Sequence, residues 1–193
     1  NATITDAEVT LAGLPPAGEL GDYQLTSMNT NGGSYSTYPS VVIDGSDTFA
    51  VWQDEGNLEE KENARYKILF NSRGSNWDDP TVLYNNDDGY ALSEPTIAGD
   101  SDYLAVSWLS SGNIQGLYST NEGNSWSDVI TYDSEYYIYY HDLEVEDEEL
   151  YLTLSIYAPN DDGEYDYKIY FSKSDDNGAT WTTPLEVSDS NTA

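Results

Sequence analysis

Carboxylates are the side chains that could most readily do chemistry here, because the sequence holds 36 Asp plus Glu against 6 Lys plus Arg. Hydrolysis of a glycosidic bond needs two of them, one to protonate the leaving oxygen and one to act as nucleophile or base. Asp54, which ends one apolar segment, and Glu94, which precedes another, are the best-placed candidates. Since acids are so abundant, most of them only solvate the surface, and the pair is weak evidence for catalysis.

The segments that would position these acids belong to a unit that occurs three times. Each unit has three apolar, strand-like segments, a turn that ends in G-x-x-W, and a fourth short strand. The tryptophans of the three turns lie 49 and 55 residues apart, close to the roughly 40 to 50 residues of propeller blades. With eighteen tyrosines and no amphipathic helical pattern, this predicts an all-β chain of three four-stranded antiparallel blades.

The turn of the third unit, residues 174 to 181, reads S-x-D-x-G-x-T-W. Ser and Asp side chains hydrogen-bond nearby backbone in tight turns, Gly permits positive φ, and Trp provides an apolar anchor. We call the three turns the first, second and third box. Their defining residues are Ser174, Asp176, Gly178, Thr180 and Trp181 in the third box, Ser119, Asn121, Gly123, Ser125 and Trp126 in the second, and Ser72, Gly74 and Trp77 in the first.

These boxes resemble the motif of the Asp-box, or bacterial neuraminidase repeat, proteins, whose fold is the sialidase-like β-propeller. The third box matches that motif at every defined position, whereas the second has Asn121 for Asp and Ser125 for Thr. The resemblance covers roughly residues 38 to 190 and indicates fold far better than function. It implies a ring of six blades, of which this chain would supply half.

The domain organisation follows from the repeats. Residues 1–37 are predicted to be an N-terminal extension or linker with one or two short strands, and residues 38–193 to form blades at about 38–90, 91–139 and 140–190. Three blades cannot close a ring, since propellers usually need four to eight. The chain could therefore be part of a longer polypeptide, half of a homodimeric ring, or a form closed by its own N-terminal strands.

A ligand site is predicted where the innermost strand of each blade begins, on the surface that propellers usually use for binding. Aligning the units puts Tyr38, Glu94 and His141, the only histidine, at equivalent positions around one axis. Ordinary rim residues are the alternative interpretation.

A second candidate is a tyrosine-rich stretch before the third unit, which contains Tyr132, Tyr136, Tyr137, Tyr139 and Tyr140. Aromatic rings stack on sugars, so these tyrosines could form a glycan platform. Alternation also puts Tyr136 and Tyr140 on one face and Tyr137 and Tyr139 on the other, as in an ordinary strand.

Sialidases of the resembled family hold the substrate carboxylate with three arginines and use a Tyr-Glu nucleophile pair with an Asp acid. This chain has only Arg65 and Arg73, so it cannot form that cluster alone. We therefore expect a secreted or cell-surface, non-catalytic module for glycan or protein recognition or for surface structure. A glycoside hydrolase whose active site is completed by another chain or segment is the competing interpretation.

Two oxygen-rich turns are candidates for Ca²⁺ binding, one with Asp87 and Asp88 and the other with Asp161 and Asp162. Neither has EF-hand spacing, and such runs are first of all turn formers. We expect no other cofactor, and the absence of cysteine excludes disulfides and thiolate metal sites.

The formal net charge of −30 would repel nucleic acid and anionic membrane surfaces. No apolar run approaches the roughly 20 residues that span a bilayer, so no membrane insertion is expected. Such acidity is typical of proteins from high salt, where counterions screen the self-repulsion of the compact state. An ordinary acidic secreted protein is the alternative.

Stability should therefore depend on salt. Raising NaCl from about 0.1 M to about 1 M, which shortens the Debye length from about 10 Å to about 3 Å, is expected to raise the unfolding temperature. Thermal unfolding followed by circular dichroism measures this, with sucrose as a control that leaves the charges unscreened. An unfolding temperature that stays flat or falls with NaCl would contradict the expectation.

Overall fold

The computed structural model describes residues 36–55, 66–73, 77, 79–86, 91–100, 102–160 and 162–188. These residues form twelve β-strands and no helix, so the prediction of an all-β chain is confirmed. In this part of the chain there is accordingly no helix long and apolar enough to cross a membrane. The strands predicted before residue 36 lie outside the described residues.

The strands form three four-stranded antiparallel sheets, as the repeat predicted, and we call these sheets blades 1, 2 and 3. Within each blade the strands are neighbours in sequence order. Blade 1 contains β1 (Ser36–Asp44), β2 (Asp47–Asp54), β3 (Tyr66–Arg73) and β4 (Thr81–Asn86); blade 2 contains β5 (Leu92–Asp100), β6 (Tyr103–Ser110), β7 (Asn113–Ser119) and β8 (Ile130–Tyr132); blade 3 contains β9 (Ile138–Glu146), β10 (Glu149–Pro159), β11 (Tyr165–Ser174) and β12 (Leu185–Glu186).

The burial of the second strand in each blade shows how the blades stack. In β6 every residue from Tyr103 to Leu109 is buried, so blade 2 is covered on both faces. In β10 buried residues largely alternate with more exposed ones, so blade 3 is covered on one face. The sequence reflects this difference, since β6 is continuously apolar around one serine, whereas β10 alternates leucine or isoleucine with Tyr, Thr and Ser.

Two cores hold the stack together. One joins blades 1 and 2 and includes Phe49, Phe70 and Trp108. The other joins blades 2 and 3 and includes Ala105 and Leu152. The first strands β1, β5 and β9 pack side by side in chain order, as inner strands of successive blades do.

We call the face of a blade that points toward the next blade its front face. The first hairpin of a blade joins its first and second strands. In each blade the front face is marked by the cross-strand pair that lies two positions before this hairpin: Val42 with Phe49, Ala98 with Ala105, and Glu144 with Tyr151. The first two pairs belong to the interblade cores, whereas Glu144 is exposed. The front face of blade 3 is thus polar where the other two are apolar.

The third box is held by its own side chains. Ser174 Oγ accepts a hydrogen bond from the Gly178 N–H at 2.8 Å, and the Asp176 carboxylate accepts from the N–H and hydroxyl of Thr180 at 2.7 and 2.6 Å. These bonds hold the pKa of Asp176 below its usual value, and the Thr180 hydroxyl contributes most. The backbone donors of the turn are therefore satisfied locally.

The second box repeats this pattern with Asn121 in the place of Asp176. Ser119 Oγ accepts from the Gly123 N–H at 2.9 Å, and Asn121 Oδ1 accepts from the Ser125 N–H at 2.9 Å. An amide oxygen thus does the work of the carboxylate, which explains why the substitution preserves the turn.

The tryptophans of the second and third boxes pack on the preceding blade. The ring of Trp126 meets that of Phe70 edge-on at 5.1 Å, and Trp181 meets Tyr132 in the same way at 5.5 Å. Gly123, at φ +80°, lies so close to Phe70 that a Cβ atom there would come within 2.5 Å of its ring. The glycine is needed both for its backbone conformation and for this contact.

Trp126 and Trp181 differ in one hydrogen bond of the indole N–H, so matched substitutions can test what this bond contributes to stability. Trp181 Nε1 donates to the Gly178 carbonyl at 3.0 Å, whereas Trp126 Nε1 is buried and lacks a partner among the described residues. Trp181→Phe should therefore destabilise the protein more than Trp126→Phe does, by about 1 kcal/mol. Urea unfolding at constant salt compares the two, and equal losses or the opposite order would refute this account.

Candidate functional site

Tyr38 and Glu94 occupy the same position in blades 1 and 2, near the start of the inner strand. Both have left-handed backbone, with φ of 53° and 52°, and both lie where the first strand bulges against the second. Positive φ is uncommon for such residues and costs free energy. A bulge repeated at one register is a built feature that re-aims a side chain, which agrees with the prediction that these two residues are equivalent.

His141 has the same register as Tyr38 and Glu94 but not their backbone conformation. It pairs with Leu154, which lies as far from the first hairpin as Trp52 and Trp108, the residues opposite the bulges of blades 1 and 2. In blade 3 the bulge falls earlier, between Ile138 and Tyr140, and His141 has no positive φ. The three aligned residues therefore share a register, but only Tyr38 and Glu94 lie on a bulge.

The imidazole of His141 instead joins blades 2 and 3. Its Nε2 lies 2.9 Å from the hydroxyl of Ser107 on β6, and its Nδ1 is buried without a partner among the described residues. Burial lowers the pKa of His141 to about 4, against the weaker opposing effects of Asp142 and Ser107. In a catalytic Ser-His pair an acid binds Nδ1 of the histidine, and His141 lacks such a partner among the described residues. We therefore interpret the neutral imidazole as a contact between blades.

The two candidate acids lie at the same end of their blades, opposite the first hairpins. Asp54 ends β2 and accepts a hydrogen bond from Ser36 Oγ at 3.1 Å. Partial burial raises the pKa of Glu94, which is the direction expected of a general acid.

Five exposed tyrosines cluster at this end of blade 3 in an array that we call the tyrosine platform: Tyr137, Tyr139, Tyr157, Tyr165 and Tyr167. Ring centroids lie 4.9 Å apart between Tyr137 and Tyr139, 5.1 Å between Tyr139 and Tyr167, and 5.0 Å between Tyr157 and Tyr167. The side chains are 37% to 60% exposed. The platform therefore offers several connected aromatic surfaces to solvent.

The structure divides the tyrosines that the sequence grouped together. Tyr137 and Tyr139 belong to the platform, and Tyr140 is exposed next to it on the same face because of the bulge. Tyr132 and Tyr136 pack against the core between blades 2 and 3. The platform residues Tyr157, Tyr165 and Tyr167 were not singled out from the sequence, although the spacing Tyr165-x-Tyr167 at the start of β11 was a signal for them.

The main cause that raises the pKa of Tyr167 is the hydrogen bond that its hydroxyl donates to Tyr139. Tyrosine hydroxyls can both donate and accept hydrogen bonds.

The turn at residues 160–164 is the one Ca²⁺ candidate that falls partly within the described residues. Asn160 Oδ1 accepts from the N–H groups of Asp162 and Glu164 at 3.1 and 2.9 Å, which closes the turn without an ion. Asp87, Asp88 and Asp161, like Arg65 and Gly74, lie outside the described residues. No cluster of three acids or histidines suited to a metal occurs within the described ranges.

Comparison with solved structures shows that the chain is similar in fold to sialidases. No protein-family model and no curated protein matches it. Two structures of Trypanosoma rangeli sialidase, one in complex with 2-keto-3-deoxy-D-glycero-D-galacto-2,3-difluoro-nononic acid, match 80% of this chain with TM-scores of 0.52 and 0.51 at 14% identity. Native Bacillus subtilis arabinanase Arb43A matches 72% of both chains at 15% identity, with a TM-score of only 0.32.

The chain spans 28% of the length of the sialidases that it matches. At 14% identity the likeness concerns the fold alone. The three blades thus have a sialidase-like β-propeller fold, as predicted.

The single histidine allows a direct test of the interblade contact. The folded-state pKa of about 4 lies below the ordinary value of about 6.5, so between these pH values the unfolded state takes up a proton that the folded state does not. This contribution should lower stability as pH falls from 6.5 to 4, by up to about 3 kcal/mol. The imidazole proton signal in an NMR titration should have a midpoint near 4.

His141→Gln provides the control, because carboxylates also titrate in this range. The variant should lose the extra pH dependence of stability between pH 6.5 and 4 while keeping the carboxylate contribution. An NMR midpoint near 6.5 in the folded protein would show that the imidazole is not buried as described.

Proposed function

We propose that this chain is a non-catalytic Asp-box propeller module, secreted or displayed at a cell surface, that recognises a glycan through the tyrosine platform. The observation that carries the proposal is the cluster of five exposed, mutually contacting tyrosine rings on one blade end. Tyrosine combines a flat apolar ring with a hydroxyl that hydrogen-bonds, which suits the alternating faces and hydroxyls of a sugar.

The charge around the platform favours a neutral glycan. Asp142 and Glu164 are exposed on the same blade, and the whole chain carries a net charge of −30. An anionic sugar would be repelled by this field. Of the two arginines, Arg73 lies at the end of β3 in blade 1, so the charge pattern does not favour recognition of a sugar acid.

The assignment to Asp-box repeats is supported by the two fully described turns. Both use a Ser side chain to accept from the Gly N–H and an Asp or Asn oxygen to accept from the residue before Trp. The second copy differs from the motif in side-chain type but not in hydrogen-bond pattern, which makes coincidence a poor explanation.

A glycoside hydrolase whose active site is completed by another chain or segment is a second candidate, and the bulges favour it. Strained left-handed residues cluster at functional sites, and Glu94 combines such a backbone with a raised pKa. Release of nitrophenol from a panel of aryl-glycosides tests this candidate. Turnover that Glu94→Gln abolishes would support catalysis over simple recognition.

Glycan binding can be tested with Tyr157→Ala combined with Tyr167→Ala. Loss of two stacking contacts of about 1 kcal/mol each should weaken binding of a neutral polysaccharide at least tenfold. Affinity electrophoresis against neutral and anionic polysaccharides, followed by calorimetry with the best ligand, measures the effect.

The matched Tyr157→Phe, Tyr167→Phe variant keeps the rings and should bind within about threefold of the unmodified protein. Leu185→Ala, an exposed apolar substitution elsewhere on blade 3, should have no effect. The proposal fails if no polysaccharide binds, or if the double alanine variant binds as the unmodified protein does.

A further inference from the structure

A groove separate from the tyrosine platform lies where β8 and the β8–β9 connection meet the third box. It encloses about 510 Å³. Its walls are residues 131–136 and 179–184, together with Ile156 and Tyr170. The groove is therefore shared between the last strand of blade 2 and the outer part of blade 3.

Four aromatic side chains line this groove: Tyr132, Tyr136, Tyr170 and Trp181. The edge-to-face contact of Tyr132 with Trp181 and the bond from Trp181 Nε1 to Gly178 fix two of the rings. The faces of such rings carry partial negative charge and attract cations. The groove thus presents pre-positioned rings to a ligand.

The charges in the groove have one sign. Asp133 and Glu135 are exposed members of its lining, and no Lys, Arg or His is among the lining residues. The charge of Glu135 is the main cause that raises the pKa of Tyr136, which places that carboxylate beside the ring. A cation entering the groove would meet rings and carboxylates together.

Several hydroxyls in the groove are already engaged. Thr180 Oγ1 donates to Asp176 at 2.6 Å, Thr182 Oγ1 accepts from the Lys173 N–H at 3.0 Å, and Ser134 Oγ accepts from the Tyr136 N–H at 3.2 Å. A sugar needs many hydrogen-bonding groups for its hydroxyls, whereas an alkylated ammonium group needs ring faces and negative charge. The groove suits the second ligand better.

We propose that this groove binds a small organic cation bearing an alkylated ammonium group. The faces of Tyr132, Tyr136, Tyr170 and Trp181 contact its methyl groups, and Asp133 and Glu135 balance its charge. The lining of this site differs from the platform, because none of the platform tyrosines lines the groove, although Tyr165 lies close enough to Tyr136 to help raise its pKa.

Choline is a suitable probe, and its neutral isostere 3,3-dimethylbutan-1-ol is the matched control ligand. Saturable binding is followed by NMR shifts of the Trp181 indole N–H at constant ionic strength. Choline should bind and the alcohol should not. Tyr136→Ala should weaken choline binding at least fivefold, Glu135→Gln should weaken it two- to fivefold, and Tyr136→Phe should stay within twofold.

Tyr137→Ala is the matched control variant, since this neighbouring tyrosine is exposed and lies outside the groove. It should leave choline binding unchanged. The inference is overturned if choline does not bind saturably, if the alcohol binds equally well, or if Tyr136→Ala binds like the unmodified protein while its melting temperature shows that it is folded. Because the glycan test uses other residues, either proposal can fail alone.

Discussion

The tryptophans of the second and third boxes connect each local turn to the interblade cores on which the stacking of the blades depends. The side chains of Ser and Asp or Asn close the turn first, by satisfying its backbone donors. The turn then holds an indole at a fixed place against Phe70 or Tyr132. In this way the hydrogen bonds within one turn position a side chain that packs against another blade. A single blade would have no such partner.

The position of a blade in the stack determines what its surface can do. Blade 2 is covered on both faces and devotes its central strand to packing. Blade 3 is covered on one face, so its other face is free to carry polar residues at the hairpin end and tyrosines at the opposite end. The platform therefore lies on a face that no described blade covers, whereas the groove lies where two blades meet.

Local signals in the sequence were sufficient for the fold. Three features of the sequence correctly predicted three four-stranded antiparallel blades: the turn chemistry of Ser174 to Trp181, the repeat of tryptophans and the strand-like segments. Turns and alternation are set by neighbours in sequence, and they are therefore readable from it. The equivalence of Tyr38 and Glu94 was predicted for the same reason.

Features that depend on register or on distant contacts were not predictable in this way. The bulge of blade 3 precedes Tyr140, whereas blades 1 and 2 bulge at Tyr38 and Glu94, so His141 shares their register without their backbone conformation. A bulge leaves no clear pattern in the sequence, because one extra residue is invisible without its partner strand. The pairing of His141 with Ser107 likewise joins strands from two blades, and the separation of platform from groove depends on how those blades pack.

The polar pair Glu144 and Tyr151 has a consequence for assembly. A stack of similar blades whose first and last surfaces were complementary could add copies head to tail without limit, as open heterologous contacts do. Repeat proteins avoid this with terminal units that have a polar outer face. Glu144 lies where blades 1 and 2 have Val42 and Ala98, so this face of blade 3 has the polar character of such a unit, and packing another blade on it would require the burial of a carboxylate.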